Sequence, residues 1–204
     1  MVRGQWRLGD ERVGDMFVDI AEQAELAAQA ADSVIRFHAD MAATDDIWTY
    51  DTVPGRRLLL PWTAVDQDIP SGSVQIDFVF GQPLAQPPIL TRIPRMARPG
   101  VSAVLNAATP ELSLAWKLLW LARDEYPRGK DLYDAVLLAE HCHLPSEVLD
   151  RTLHPEEDYR DYGSYARLVD YITTNVDWPA SVRDHPQLAG REEEFAQRLR
   201  RALT

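Results

Sequence analysis

The stretch G72-S-V-Q-I-D-F-V-F-G81 decides how this chain is read. Val74, Ile76, Phe78 and Phe80 fall on alternate positions, and Val79 adds apolar character to the opposite face. The pattern predicts a strand buried on at least part of both sides. Asp77 interrupts it. A carboxylate there loses hydration worth several kcal/mol unless a cation, a metal or strong donors meet it. The rest of the chain must supply what meets that charge.

Upstream, Val13, Met16, Phe17, Ile20, Ala24, Ala27 and Ala31 recur at helical spacing, which predicts an amphipathic helix between Gly14 and Ser33 with an acidic outer face. Ile35, Phe37, Ala39 and Met41 then alternate as in a strand. Thr44-Asp45-Asp46 breaks the pattern, Ile47 to Tyr50 resumes it, and Pro54-Gly55 reads as a turn before Arg56 and Arg57. A helix followed by several strands and short turns implies an α/β layer with one helix on a mixed sheet.

The composition changes after Gly81. Pro83, Pro87, Pro88, Pro94 and Pro99 read as a surface connection with few regular elements. Beyond it the chain reads as helical. Thr109-Pro110-Glu111 is an N-cap with proline in the first turn, followed by the apolar positions Leu112, Leu114, Ala115, Leu118, Leu119 and Ala122. Further helices are predicted over Asp131–His141, Pro145–Leu153, Tyr165–Thr174 and Glu192–Leu203, the last as a solvated cap. The organisation expected is an α/β domain over residues 1–95 and a helical domain over 96–204.

The 204 residues, 46% of them hydrophobic, suffice for a core, and no run approaches the roughly 20 apolar residues of a membrane helix. The first dozen residues lack the apolar centre of a signal peptide, so a cytoplasmic protein with no membrane contact is expected. The one cysteine, Cys142, excludes an internal disulfide and any multi-cysteine metal site. A net charge of −11 argues against nonspecific coating of nucleic acid. The segment 81–110 nevertheless holds Arg92, Arg95 and Arg98 and no acid, which reads equally as a solvated loop or a phosphate-facing strip. His141-Cys142-His143 reads as a helix end, since consecutive residues there point in different directions. Trp48, Trp62, Trp116 and Trp120 read as packing residues.

Two further segments carry chemistry-bearing residues. In L114-A-W-K-L-L-W-L-A-R-D-E-Y-P-R-G-K-D-L-Y-D-A-V-L-L138, Lys117 sits among Leu114, Trp116, Leu118, Leu119 and Trp120, so its ammonium either reaches water or is drawn to an anion. Arg128, Lys130, Asp131 and Asp134 gather at the start of the next helix, with Asp134 on nearly the face of Asp131. Asp131 also suits an N-cap or first-turn acid. The other segment is Pro54 to Arg57, where Arg57 is either a nucleotide-binding cation or a cross-strand partner of Asp77; residue chemistry alone favours the pairing.

The strand VQIDFVFG, the downstream LAWKLLWLARDEYPRGKDLYDAVLLAEH and their order resemble the AbiEii/AbiGii-type toxin nucleotidyltransferases, most clearly from about Pro54 to Glu140. That resemblance implies a polymerase-β-like nucleotidyltransferase domain followed by a helical domain. It implies transfer of a nucleotide from NTP to RNA, such as a tRNA acceptor end, with Mg²⁺ as cofactor, and a cognate antitoxin as partner. By the resemblance Asp77 is the strand acid of the metal site and a catalytic group, and Lys117 and Asp131 complete the catalytic set. Lys117, Arg128, Lys130, Asp134 and Arg57 are then the nucleotide-binding side chains. Two departures stand beside it. Gly129 and Lys130 replace a plain Arg-Asp, and the upstream Gly-Ser turn with its Asp-x-Asp pair is not found, Asp10 and Glu11 being adjacent and Asp15 and Asp19 helical. The nucleotidyltransferase domain therefore reads as incomplete, as of a chain that starts after that motif, and a truncated or degenerate member that binds a nucleotide or partner without catalysis is the alternative expectation.

Overall fold

A computed structural model describes residues 11–31, 33–49, 53–66, 68–81, 84–94, 102–153 and 165–203. The chain forms two compact units, Met1–Pro83 and Leu84–Thr204.

The first unit opens with α1 (Glu11–Ala30), whose Val13 and Phe17 are fully buried while Asp15 and Asp19 face out. It lies on a four-stranded sheet of β1 (Ile35–Phe37), β2 (Ala43–Thr49), β3 (Val53–Ala64) and β4 (Gly72–Val79). Between β1 and β2, Ala39–Met41 makes a 3₁₀ turn whose Ala39 N–H donates to Glu25 in the second half of α1. The long β3 is the spine: β1 and β2 pair along one of its edges and β4 along the other. The α/β class is as expected, but every ladder among the described residues is antiparallel rather than mixed.

One sheet face meets α1. Leu58 of β3 and Ile76 and Phe78 of β4 join Val13, Phe17, Met16, Ile20, Ala42 and Phe80 in a small core. Phe17 and Phe78 meet edge to face, with centroids 4.8 Å apart, the geometry aromatic quadrupoles favour. Ser73, Gln75, Asp77 and Val79 leave the opposite face of β4 exposed, so this strand is buried on one side and not two. Asp77 stands on that open face.

Two sequence expectations change here for one reason. Thr44-Asp45-Asp46 lies inside β2 and Pro54-Gly55 lies inside β3, although both read locally as breaks. Asp45 and Asp46 stand opposite Arg57 and Arg56, which supply the partners that let acids sit in a strand. Gly55 is required by proximity and not by a turn: a Cβ there would lie 2.6 Å from the Phe78 carbonyl oxygen.

The second unit begins with a hairpin the proline-rich composition concealed. β5 (Ile89–Pro94) pairs with β6 (Ser102–Ala107) from Ile89↔Ala107 to Pro94↔Ser102. The hairpin spans the boundary expected near residue 95, and the division between units falls at Pro83/Leu84. Arg92 is exposed on β5, while Arg95 and Arg98 lie outside the described residues.

The helices follow: α2 (Pro110–Arg123), α3 (Gly129–Ala139), α4 (Ser146–Leu153), α5 (Tyr165–Thr174), α6 (Trp178–Asp184) and α7 (Glu192–Leu203). Thr109 caps α2, its hydroxyl oxygen accepting from the Leu112 N–H, as the sequence predicts. Leu114, Leu118, Leu121, Leu132, Val136, Leu149, Leu168, Ile172, Phe195 and Leu199 are buried together as one core. Two outcomes differ from expectation. Helix α6 is absent from the sequence expectation, although Asp177 caps it and Pro179 stands in its first turn. Helix α7 is more than a solvated cap: Phe195, Ala196 and Leu199 are buried, and Arg198 forms a two-pronged bond to Glu140 at the end of α3.

Candidate functional site

The side chains singled out by sequence assemble into two groups, one in each unit. In the second unit, α2 packs against α3, and Leu114, Leu118 and Leu121 of the one and Leu132, Ala135 and Val136 of the other are buried in the same core. Lys117 lies on the flank of that contact. Its ammonium donates to Asp131 Oδ1 at 2.7 Å and approaches Asp134 Oδ2 at 2.8 Å. The i, i+3 spacing of the two acids puts both on the face of α3 that meets Lys117. The lysine and Asp131 side chains are each 15% exposed and Asp134 is 33% exposed. Trp120, one turn after Lys117, places its ring centroid 4.7 Å from the same nitrogen, a cation–π contact. Its place in the sequence marks Trp120 only as a packing residue.

Burial is the largest single influence on Lys117 and works against its charge, yet the hydrogen bonds and charges of Asp131 and Asp134 outweigh it, so the lysine pKa is raised. The ammonium is therefore fixed as a cation at neutral pH. One positive and two negative charges leave the cluster with an excess negative charge, and carboxylate lone pairs remain beyond those Lys117 uses. Asp131 is a first-turn acid of α3 rather than its cap; the cap position belongs to Arg128, whose side chain makes no capping bond. Arg128 and Lys130 are both exposed beside it.

Gly129, the apparent insertion, has a physical reason. It is buried at the first position of α3, where a Cβ would lie 2.7 Å from both Ser181 Oγ and Trp178 Cε3 of α6. The strand-like bridge Arg128↔Asp177 and the Asp177 N–H donating to the Pro127 carbonyl at 2.7 Å hold the approach. Nothing local in the sequence signals this, because Trp178 is some fifty positions away.

In the first unit, Asp77 meets Arg57. The two are register partners on β3 and β4, and Arg57 Nε and Nη2 donate to Asp77 Oδ1 and Oδ2 at 2.8 and 3.0 Å. Gln75, two residues along the same face, also donates to Oδ2 at 3.2 Å. The Arg57 hydrogen bond is the main cause holding the Asp77 carboxyl below the ordinary carboxylate range, with burial opposing it. The pairing that residue chemistry favours is thus the observed one, and Arg57 is engaged in it.

These residues do not fit a Mg²⁺ site. The cation places on Asp77 are taken by a guanidinium, and the acid nearest along the ladder, Asp45, is the register partner of Arg57 on the far edge of β3. At Asp131 and Asp134 the space between the carboxylates holds Lys117. Among the described residues no three His, Cys, Asp or Glu side chains gather as a metal set, His141-Cys142-His143 included.

A family model described as "Nucleotidyl transferase AbiEii toxin, Type IV TA system" matches residues 14–204. The chain belongs to the AbiEii family. No curated protein and no solved structure matches it. The match runs through both units, covering the β3–β4 pair and the α2–α3 cluster alike. AbiEii membership places the chain among nucleotidyltransferase-type toxins of type IV toxin–antitoxin systems, and so implies a cognate antitoxin. Among the described residues of this AbiEii chain, no helix is long and apolar enough to cross a membrane.

Proposed function

We propose that the chain is the toxin of a type IV pair, acting in the cytoplasm, and that it handles a nucleotide at the α2–α3 surface on the way from NTP to an RNA such as a tRNA acceptor end. The observation that carries this reading is the Lys117–Asp131–Asp134 cluster, a half-buried charged group that family membership over residues 14–204 gives a purpose. Transfer replaces the bond between the α-phosphorus and pyrophosphate by one to an RNA hydroxyl. Asp131 and Asp134, oriented by Lys117, have lone pairs left to accept ribose hydroxyls or base amino groups. Arg128 and Lys130, exposed at the start of the same helix, can meet phosphate charge. Lys117 then acts mainly by positioning the two carboxylates, since its own charge is already met.

A second reading draws on a specific observation, the closure of Arg57 on Asp77: the chain binds a nucleotide or partner protein without transferring anything. One experiment separates the two. Purified protein is incubated with Mg²⁺, total tRNA and each labelled NTP in turn, beside Lys117→Ala, with NTP binding measured in parallel. Label on RNA that Lys117→Ala abolishes supports transfer. Binding that Lys117→Ala weakens, with no label transferred, supports the second reading; no binding and no transfer refute transfer and nucleotide binding alike.

A further inference from the structure

The β3–β4 pair carries an inference that runs against the metal role implied for its carboxylate. An ionised carboxylate offers about four lone-pair positions. On Asp77, two are taken by Arg57 and a third by Gln75. Arg57 cannot release its charge, and its planar fork matches a carboxylate in two-pronged fashion. The fork is also placed by the backbone: Arg57 and Asp77 are direct register partners, and the same register sets Asp45 on the other flank of Arg57. Arg57 thus stands between acids on the two strands that flank β3, with its guanidinium closed on Asp77, so a cation drawn to both acids would meet a fixed positive charge in the same row. Mg²⁺ demands near-ideal octahedral oxygen geometry, and this row offers the reverse, one oxygen position beside a fixed positive charge.

We infer that Asp77 is a structural carboxylate closed by Arg57 and that Arg57 keeps divalent cations off it. Any metal serving transfer is then held by groups other than Asp77. The inference concerns β3 and β4 alone and is independent of whether nucleotide is handled at α2–α3.

The test uses Mn²⁺ as the probe, followed by the electron paramagnetic resonance signal of the free ion, with no nucleotide present. Wild-type protein and Asp77→Asn are expected to give superimposable titrations, whether or not Mn²⁺ binds elsewhere on this acidic chain. Saturable uptake by the wild type that Asp77→Asn removes overturns the inference. A second arm guards against a misfolded variant: urea unfolding of Arg57→Gln, Asp77→Asn and the double variant. Coupling of about two- to five-fold in the folded-to-unfolded ratio is expected, the range of partly exposed pairs. Strictly additive effects would show that the fork does not close in solution, and the inference would fail.

Discussion

Gly129→Ala tests whether α3 is placed by its contact with α6. The added methyl would lie 2.7 Å from Ser181 Oγ, 2.7 Å from Trp178 Cε3 and 3.0 Å from Ser181 Cβ, against an ordinary contact of about 3.5–4.0 Å. Neither neighbour has room to withdraw. Trp178 is 3% exposed, its indole N–H donates to the Leu188 carbonyl and its ring lies against Phe195; Ser181 is 8% exposed within α6. Overpacking of this kind costs about 1–3 kcal/mol, whereas alanine would gain at most about 1 kcal/mol over glycine by helix propensity. The net expectation is a loss of about 1–2 kcal/mol. With a urea dependence of about 1–3 kcal/mol per molar, the midpoint should fall by about 0.3 to 2 molar. Asp131 and Asp134 ride on α3, so NTP binding should weaken with it. Adding Ser181→Gly removes two of the three close contacts and should restore part of the loss. A Gly129→Ala midpoint equal to or above that of wild type would refute the reasoning, since helix propensity would then have won over packing.

Replacing Lys117 by Met keeps the apolar stem and removes the charge, leaving Asp131 and Asp134 facing each other without their shared donor; a loss of about 1–3 kcal/mol in urea unfolding is expected, and wild-type stability would show the ammonium to be dispensable for α2–α3 packing. Glu140 is held below the ordinary carboxyl pKa, first by its hydrogen bonds to Arg198. Its stabilising contribution is therefore complete above the unfolded value and disappears as pH falls through the lower folded one. Glu140→Gln should cost about 1 kcal/mol or less at pH 7, with the difference from wild type vanishing in acid; a constant difference across that range would count against the pair. Phe17→Ala empties a site that is 2% exposed and removes the edge-to-face contact with Phe78, so a loss of about 3–5 kcal/mol in the stability of the first unit is expected by thermal or urea unfolding.

Much of the second unit is written locally. Helix α2 follows from Thr109-Pro110 and the leucine spacing after it, and α5 and α7 follow from apolar positions on one face, because a helix's bonds close within four residues. The i, i+3 spacing of Asp131 and Asp134 likewise guarantees a shared face wherever the helix is packed. Family membership was legible too, carried by VQIDFVFG and by the Lys117 to Asp134 segment. The β5–β6 hairpin and helix α6 were less so, since prolines and short apolar runs do not announce which strand or helix will receive them.

Residue order alone suffices to place this chain, with its lysine, two aspartates and strand carboxylate, in a nucleotidyltransferase-type toxin family. What those groups touch depends on the packing of distant segments. Pairing of β3 with β4 brings Arg57 to Asp77 across twenty positions, turning an expected metal ligand into one half of an ion pair and an expected turn at Pro54-Gly55 into the inside of a strand. Packing of α2 on α3 brings Lys117 to Asp131 across fourteen. Charge and periodicity are properties of neighbours along the chain, whereas register and helix packing are settled by contacts between distant segments, and no local pattern encodes their partner.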